Sequence, residues 1–471
     1  MTGRVWVRLD NASNIFLAAR TDADPKVFRL SAEVDHEVDP QLLQEALDAT
    51  YDRYPLYHAV LRRGVFWYYL QDSDLRPLVS AEVQHTCAPI YQADRRTLLF
   101  RVLHHRRRIN LEVFHALSDG TGALWFLSDL VTAYLGLRYP EVARALGASP
   151  AAGADPAGAD PPGAARPGTE PVGMAPAGQL QEAPVHELTA DSFAHYFRRR
   201  RQGRAHDTGA ARPPRKRVHR VRGTRTPDHR TRAVELTLPA RDVLSLARAE
   251  GVSLTMYLTA LFFESVRRSS GGLGRNRTLA VSVPVNLRQF FPSTSARNFF
   301  AAVRVEHTYG EGEDDVGSVA RQLEGQFRPK ATPEALERKL RRFIRFERTP
   351  LLRVVPRPLK DLILGLVNRV NNRGLTVAIS NMGRVSLPEP VDSHVGRMLL
   401  HVSAARPQFC AVSHAGLLTI SFSSPFTETG HIREFARHLT GRGIAVSVAA
   451  ARVTEEELRL VETGVEAEVE P

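Results

Sequence analysis

The sequence predicts an α/β protein with layered strands and helices, organised as two domains. Two stretches, Ile109 to Phe114 and Ala233 to Leu238, alternate with the period of two expected of strands. Two others, Ala123 to Leu135 and Ser253 to Arg268, are long and apolar enough for helices, the second with a strong apolar face. At 471 residues the chain is longer than a single core usually serves, so two domains are expected.

Composition narrows the class. Hydrophobic residues make up 43% of the chain, as in ordinary globular proteins. Cys87 and Cys410 are the two cysteines, which excludes a disulfide framework or a cysteine-based zinc site. The apolar runs are short and broken by charge, so no membrane span is expected. The opening MetThrGlyArgValTrpValArgLeuAsp lacks the apolar core of a signal peptide, and a cytoplasmic location is expected. The net charge is +12, yet residues 198–232 alone hold 14 Arg or Lys against two Asp. The rest of the chain is balanced.

Residues 1–148 read as the first domain. Leu42 to Ala59 opens with apolar residues at helical spacing, after Asp39 as cap and Pro40 in the first turn. Phe66 to Leu70 is aromatic and strand-like. Leu98 to His104 and Arg108 to Phe114 form a hairpin around a basic turn, Arg106-Arg107-Arg108, that is expected to be solvated. Ile109, Leu111 and Val113 mark one buried face of the second strand, and His115 continues that set. Glycines then break the strand, and Asp119 or Thr121 caps the helix that follows.

Residues 149–187 are rich in Ala, Gly and Pro and read as a disordered linker. Residues 188–232 read as a basic insert. Phe193, Tyr196 and Phe197 suggest a short docking helix, and the remainder a solvated, Pro/Arg-rich loop. Dense positive charge attracts polyanions, but no aromatic platform or nucleic-acid motif accompanies it, so nucleic acid is not the expected partner. A phosphate-bearing small molecule or an acidic protein suits it equally.

Residues 233–471 read as the second domain. Ala233 to Leu238 is a strand, and Pro239 to Glu250 and Ser253 to Arg268 are helices. Thr278 to Val285 is a strand running into Pro284-Val285-Asn286-Leu287-Arg288, with Asn298-Phe299-Phe300 ten residues on. Helices are expected at Glu313 to Phe327 and Pro333 to Arg348. Leu359 to Val370 is a third, apolar on one side and basic on the other; packing on a core is expected, with peripheral membrane contact as the second reading. A strand ends in Ser380-Asn381-Met382-Gly383. Strands at 397–404, 409–415 and 417–423 and a helix from Glu428 to Thr440 close the chain, with His401 and His414 expected to be satisfied core or surface histidines.

Three stretches carry a resemblance. His115-x-x-x-Asp119-Gly120 is similar to the active-site motif of the CoA-dependent acyltransferase superfamily, which includes chloramphenicol acetyltransferase, plant alcohol acyltransferases and nonribosomal peptide condensation domains. Pro284-Val285-Asn286-Leu287-Arg288 followed by Asn298-Phe299 resembles its second signature. Ser380-Asn381-x-Gly383 resembles acyltransferases of the alcohol acetyltransferase and mycobacterial polyketide-associated type. The resemblance is nearest to bacterial alcohol acetyltransferase-like proteins. The plant Asp-Phe-Gly-Trp-Gly signature is absent.

The resemblance implies two chloramphenicol-acetyltransferase-like domains with a tunnel between them. It implies transfer of an acyl group from a CoA or carrier-bound thioester to a hydroxyl or amine, with His115 as general base. Acyl-CoA is then a co-substrate, no cofactor is held permanently, and an acyl carrier protein is a possible partner. Asp119 takes a structural role, paired with Arg288, or less expectedly with Arg20. A histidine of ordinary pKa about 6.5 suits removal of a hydroxyl proton. The oxyanion formed needs donors, for which Ser380, Asn381 and the Gly120 amide are candidates, and Asn298 is expected to line the substrate site. No metal is expected. His115 and Asp119 would suit two ligands on a helix, but the strand pattern and the lack of a third ligand oppose it. A catalytically inactive scaffold of the same fold is the alternative from another class, and nucleic-acid binding through 198–232 is a third.

Overall fold

The computed structural model describes residues 6–9, 11–93, 95–148, 217–273, 276–291, 293–347 and 357–451. The linker 149–187, the helix expected around Phe193 to Phe197, and the basic run from Arg198 to Lys216 lie outside the described residues.

The N-terminal lobe contains β1 (Trp6–Arg8), α1 (Asn11–Ala19), β2 (Val27–Val34), α2 (Pro40–Asp52), β3 (Ala59–Arg63), β4 (Tyr68–Asp72), β5 (Ser80–Ala81), β6 (Phe100–His105), β7 (Arg108–Phe114), α3 (Gly120–Arg138) and α4 (Pro140–Ala148). The Asp39 carboxylate caps α2 by accepting from the Gln41 and Leu42 amides, with Pro40 in the first turn. The helix does not reach Ala59 as its opening pattern suggests. It stops at Asp52, because Pro55 cannot continue an α-helix and instead opens a 3-10 turn before β3. α3 is apolar on nearly all sides and is buried along most of its length, as such helices must be.

β7 is covered on both faces, not one. Ile109, Leu111 and Val113 share a core with Leu124, Leu127 and Val131 of α3. Asn110 and Glu112 on the opposite face are buried as well. The Glu112 carboxylate accepts from Arg29 Nε at 2.8 Å, from Arg101 Nε at 2.6 Å and from the Cys87 amide at 2.7 Å. A carboxylate can be buried only with such partners. The basic turn is not simply solvated either: Arg108 forks onto Glu235 of the other lobe at 2.7 and 2.8 Å.

The C-terminal half contains β8 (Arg232–Pro239), α5 (Ala240–Ala249), α6 (Leu254–Ser269), β9 (Arg277–Asn286), β10 (Phe300–Tyr309), α7 (Val316–Phe327), α8 (Pro333–Glu347), α9 (Arg357–Arg373), β11 (Val377–Arg384), β12 (Val395–Val402), β13 (Gln408–His414), β14 (Leu417–Ser424), α10 (Gly430–Thr440) and β15 (Ser447–Ala450). Its seven-stranded sheet runs β10-β9-β11-β13-β14-β8-β15, with β11 parallel to both its neighbours and the other pairs antiparallel. α6 starts at the Ser253 cap and packs on this sheet with α7 and α10.

Four expectations change. First, β12 leaves its own half and joins the N-terminal sheet, whose order is β12-β2-β7-β6-β5, so the division at residue 232 does not separate the two cores. Val385, Leu387, Val391, Val395, Met398 and Leu400 all belong to the N-terminal core. Second, β2 and β10 are strands that the sequence reading omits. Arg29 and Ser31 interrupt the apolar pattern of β2, yet both are buried. Third, the end of the basic insert is docked. Val218 bridges to Thr278, Arg225 bridges to Phe426, and the Thr226 amide donates to Pro425 O. Backbone pairing holds this strap, so it needs no apolar periodicity. Fourth, α9 turns its apolar side outward: Leu362 and Leu366 are 69% and 60% exposed.

Phe262 of α6 anchors the second core, fully buried with its ring 5.3 Å from Phe409 and 5.6 Å from Phe422. Phe262→Ala is expected to lower stability by about 3–5 kcal/mol in urea unfolding, the usual cost of an unfilled aromatic site.

Candidate functional site

The site assembles where the N-terminal lobe meets β9 and β10. β7 delivers His115 at its end, where the His115 amide donates to Lys26 O at 2.8 Å and prolongs the pairing with β2. The chain then turns through Ala116 and Leu117 into α3. Asp119 is the cap of that helix and accepts from the Gly122 amide at 2.9 Å. This turn tolerates no side chains at its glycines. A Cβ on Gly122 would lie 2.2 Å from Ala296 O, and one on Gly120 would lie 2.9 Å from the Met382 sulfur.

The two carboxylate oxygens of Asp119 divide their work. Oδ1 caps α3. Oδ2 accepts from Arg288 Nη1 at 2.7 Å and from the Phe299 amide at 2.8 Å. The pair is buried, with 7% and 8% side-chain exposure. Arg288 Nη2 donates to Ser295 O at 2.8 Å and Arg297 O at 2.6 Å, and the guanidinium lies 5.2 Å from the Trp125 ring centre. Arg20 is engaged elsewhere, donating to Tyr91 O at 2.8 Å, so it is not the partner of Asp119.

Asn298 ties the same loop to the histidine. Its Nδ2 donates to His115 O at 2.7 Å and to Ser13 Oγ at 2.8 Å. Asn286, two residues before Arg288, donates to Thr121 Oγ1 at 3.2 Å. Asn286 and Asn298 therefore clamp both ends of the His115–Thr121 turn.

The His115 ring is held by aromatic packing. Phe16 of α1 stacks on it at 3.9 Å and 12°, and Phe28 meets it edge-on at 4.9 Å. Nothing in the sequence marked Phe16, because α1 is short and its role appears only once the chain is folded. The residue is half-buried and its Nδ1 is enclosed with no hydrogen-bond partner among the described residues, so the accessible edge is that of Nε2. Burial lowers the ring pKa to about 4, against Asp119, Asn298 and the residue's own carbonyl, which favour the protonated form. The histidine ring is thus neutral at physiological pH.

β11 lies against this turn through Met382. Asn381 is committed to structure: its Nδ2 donates to Thr255 Oγ1 and its Oδ1 accepts from the Gly383 amide, both at 2.9 Å. The half-buried Ser380 hydroxyl makes no hydrogen bond to any described residue. His414 is satisfied, its ring nitrogens facing Val385 O and Val395 O at 3.1 and 2.9 Å. His401 is buried with neither ring nitrogen hydrogen-bonded and Glu235 3.5 Å away. Among the described residues no group of three or more His, Cys, Asp or Glu is arranged to hold a metal ion.

Removing either member of the Asp119–Arg288 pair leaves a buried charge uncompensated. Asp119→Asn and Arg288→Met are each expected to cost about 3–5 kcal/mol in chemical unfolding. The double variant should cost clearly less than the two together; additive losses would show that the charges do not depend on each other.

No family model matches the chain, and no curated protein does. Solved structures do match in fold. Polyketide synthase associated protein 5 from Mycobacterium tuberculosis aligns at 16% identity and a TM-score of 0.53, over 92% of this chain and 96% of that one. F. sporotrichioides TRI101, solved with coenzyme A and T-2, aligns at 10% identity and 0.56, over 94% and 99%. The starter condensation domain of rhizomide synthetase RzmA, substituted at two positions and complexed with C8-CoA and Leu-SNAC, aligns at 13% identity and 0.53, over 93% and 94%. The chain shares the two-lobed α/β fold of these structures.

Proposed function

We propose that this protein is an O-acyltransferase of the alcohol acetyltransferase-like type, moving an acyl group from a CoA or carrier-bound thioester to a hydroxyl or amine. The observation that carries the reading is the His115 ring, kept neutral by burial at the junction of the lobes with its Nε2 edge accessible. In the proposed reaction His115 Nε2 takes the acceptor's hydroxyl proton as the oxygen attacks the thioester carbonyl carbon. The C=O bond becomes a single bond carrying the negative charge. Collapse of this tetrahedral species re-forms C=O and breaks the C–S bond, and His115 returns the proton to the departing thiolate.

The chain's other residues support this by position. Asp119 and Arg288 do not face the reaction; they hold the turn that presents His115. Nδ1 is enclosed without a hydrogen-bond partner among the described residues, so Nε2 is the nitrogen proposed to carry the reactive lone pair. Ser380 is the proposed oxyanion donor, since its hydroxyl is uncommitted among the described residues while the Asn381 amide is bonded to Thr255. No covalent acyl-enzyme is proposed, because both thiols are buried and burial raises the Cys87 and Cys410 pKa values, leaving them poor nucleophiles.

The test is a screen of acyl-CoA donors against alcohols and amines, followed by thiol release. His115→Ala, and His115→Gln to keep the ring's volume filled, should each lower transfer by about 10²–10⁴ with unchanged circular dichroism. Transfer at the parental rate in both variants would remove His115 from the mechanism.

The pH dependence follows from the same ring. The base acts only when neutral, so kcat/KM should hold level from neutrality downward and decline as the pH approaches about 4. An inflection in the ordinary histidine range would contradict the buried-base reading. Stability shifts in the same direction. The unfolded histidine binds a proton below about 6.5 while the folded ring resists until about 4, so stability is full above 6.5 and falls through that window. Thermal denaturation between pH 7 and 4, compared with His115→Gln, measures it.

A further inference from the structure

α9 is an amphipathic helix docked with its sides reversed. At 3.6 residues per turn, Asp361, Leu364, Gly365, Asn368 and Asn372 share one face. That largely polar face is the covered one. Asp361 accepts from Tyr68 at 2.8 Å, and Gly365 passes close to Ala18 O of α1. The opposite face carries Leu359, Leu362, Ile363, Leu366, Val367 and Val370, between 40% and 69% exposed. A helix in a soluble lobe normally buries its apolar stripe. Here a stripe of six large side chains points into solvent over about three turns, and the neighbouring tip of the β3–β4 hairpin adds Val65 and Phe66, 72% and 42% exposed. Contiguous apolar surface of this kind marks a binding face.

The charges around the stripe select its occupant. Lys360 borders it on one side, held at Phe66 O and over the Trp67 ring, and Arg369 borders it on the other, with Arg373 at the end. The helix sequence holds four basic residues against Asp361, and Asp361 is turned inward. A second copy of this chain would bring the same positive border against itself. An anionic bilayer surface satisfies both features: leucines and valines enter the acyl boundary while lysine and arginine reach the phosphates. Among the described residues no helix is long and apolar enough to cross a membrane, so the contact is one of lying on the surface.

We propose that α9, with the β3–β4 tip, docks the protein on membranes containing anionic phospholipid. The consequence for the neighbouring site is one of address. α9 packs on α1, which carries both the exposed Ile15 and the Phe16 that stacks on His115. The docked face is therefore one helix away from the histidine, placed to receive a lipid-soluble substrate from the bilayer. The docking itself does not depend on the transfer chemistry.

The test is co-sedimentation of the full-length protein with vesicles of phosphatidylcholine alone and with phosphatidylglycerol added. The parent should bind the anionic vesicles, and more weakly at high salt. Leu362→Glu/Leu366→Glu, at exposed positions where folding is preserved, should lower the bound fraction by about tenfold or more. Arg369→Glu/Arg373→Glu should lower it on anionic vesicles alone. Three results would overturn the proposal: no preference for anionic vesicles, binding that survives the double leucine variant, or a parental dimer in solution that this variant dissociates. None of these readouts uses acyl transfer, so failure here and failure of the proposed reaction are separate outcomes.

Discussion

The structure around the site depends on the ion pair between Asp119 and Arg288. One carboxylate starts α3, fixes the Phe299 amide and neutralises a guanidinium drawn from the other lobe. Each of these contacts constrains a different segment, and all three converge within four residues of His115. A buried pair of charges gains little stability over a well-packed apolar pair, because both ions must leave water. What it gives is direction. The carboxylate is satisfied only when β9, the Ser295–Phe299 loop and the start of α3 are mutually in register. The glycines at 120 and 122 let these backbones approach closely enough for that to happen.

A second set of charges joins the lobes away from the site. Arg108 and Arg397 bridge Glu33 of β2 and Glu235 of β8, and His401 lies beside Glu235. Burial is the largest influence on Glu33 and Glu235 and acts to raise their pKa values, but the two arginines outweigh it and hold both carboxyls below the usual range. The pairs span the seam, so the seam is polar where the two cores beside it are apolar. A seam of this kind is compatible with small relative movement of lobes, since ionic contacts are less dependent on interdigitated shape than a core is.

Much of this was legible in the residues. The hairpin ending at His115, the capped helix after it, the strand running into Asn286 and the Ser253-capped helix all follow local rules of alternation and capping. The pairing of Asp119 with Arg288 was implied by resemblance, not by any local pattern, because 169 positions separate them. Phe16 was not legible for the same reason: nothing around it distinguishes a ring that will stack on a histidine from one that packs in a core. β2 was hidden by Arg29 and Ser31, which are polar in sequence and buried in space because Glu112 and Glu82 satisfy the arginine. α9 misled in the opposite sense. Its periodicity correctly gave a helix, but periodicity states only that one side is apolar, not which side faces the protein.

The crossing of β12 into the N-terminal sheet bears on how the chain comes into being. β2 pairs with β7 on one edge, and on the other its partner is β12, with Leu30 opposite Leu400. During synthesis the first lobe emerges with that edge unpaired and with part of its core, Val385 to Leu400, still untranslated. An exposed strand edge is a template for pairing with other chains. The N-terminal half is thus an incomplete unit for most of the time the ribosome needs to make the rest. Contacts of such long sequence separation also form slowly, since loop closure precedes the gain from pairing. The two lobes look separable in outline, yet the first cannot finish until the second is nearly complete.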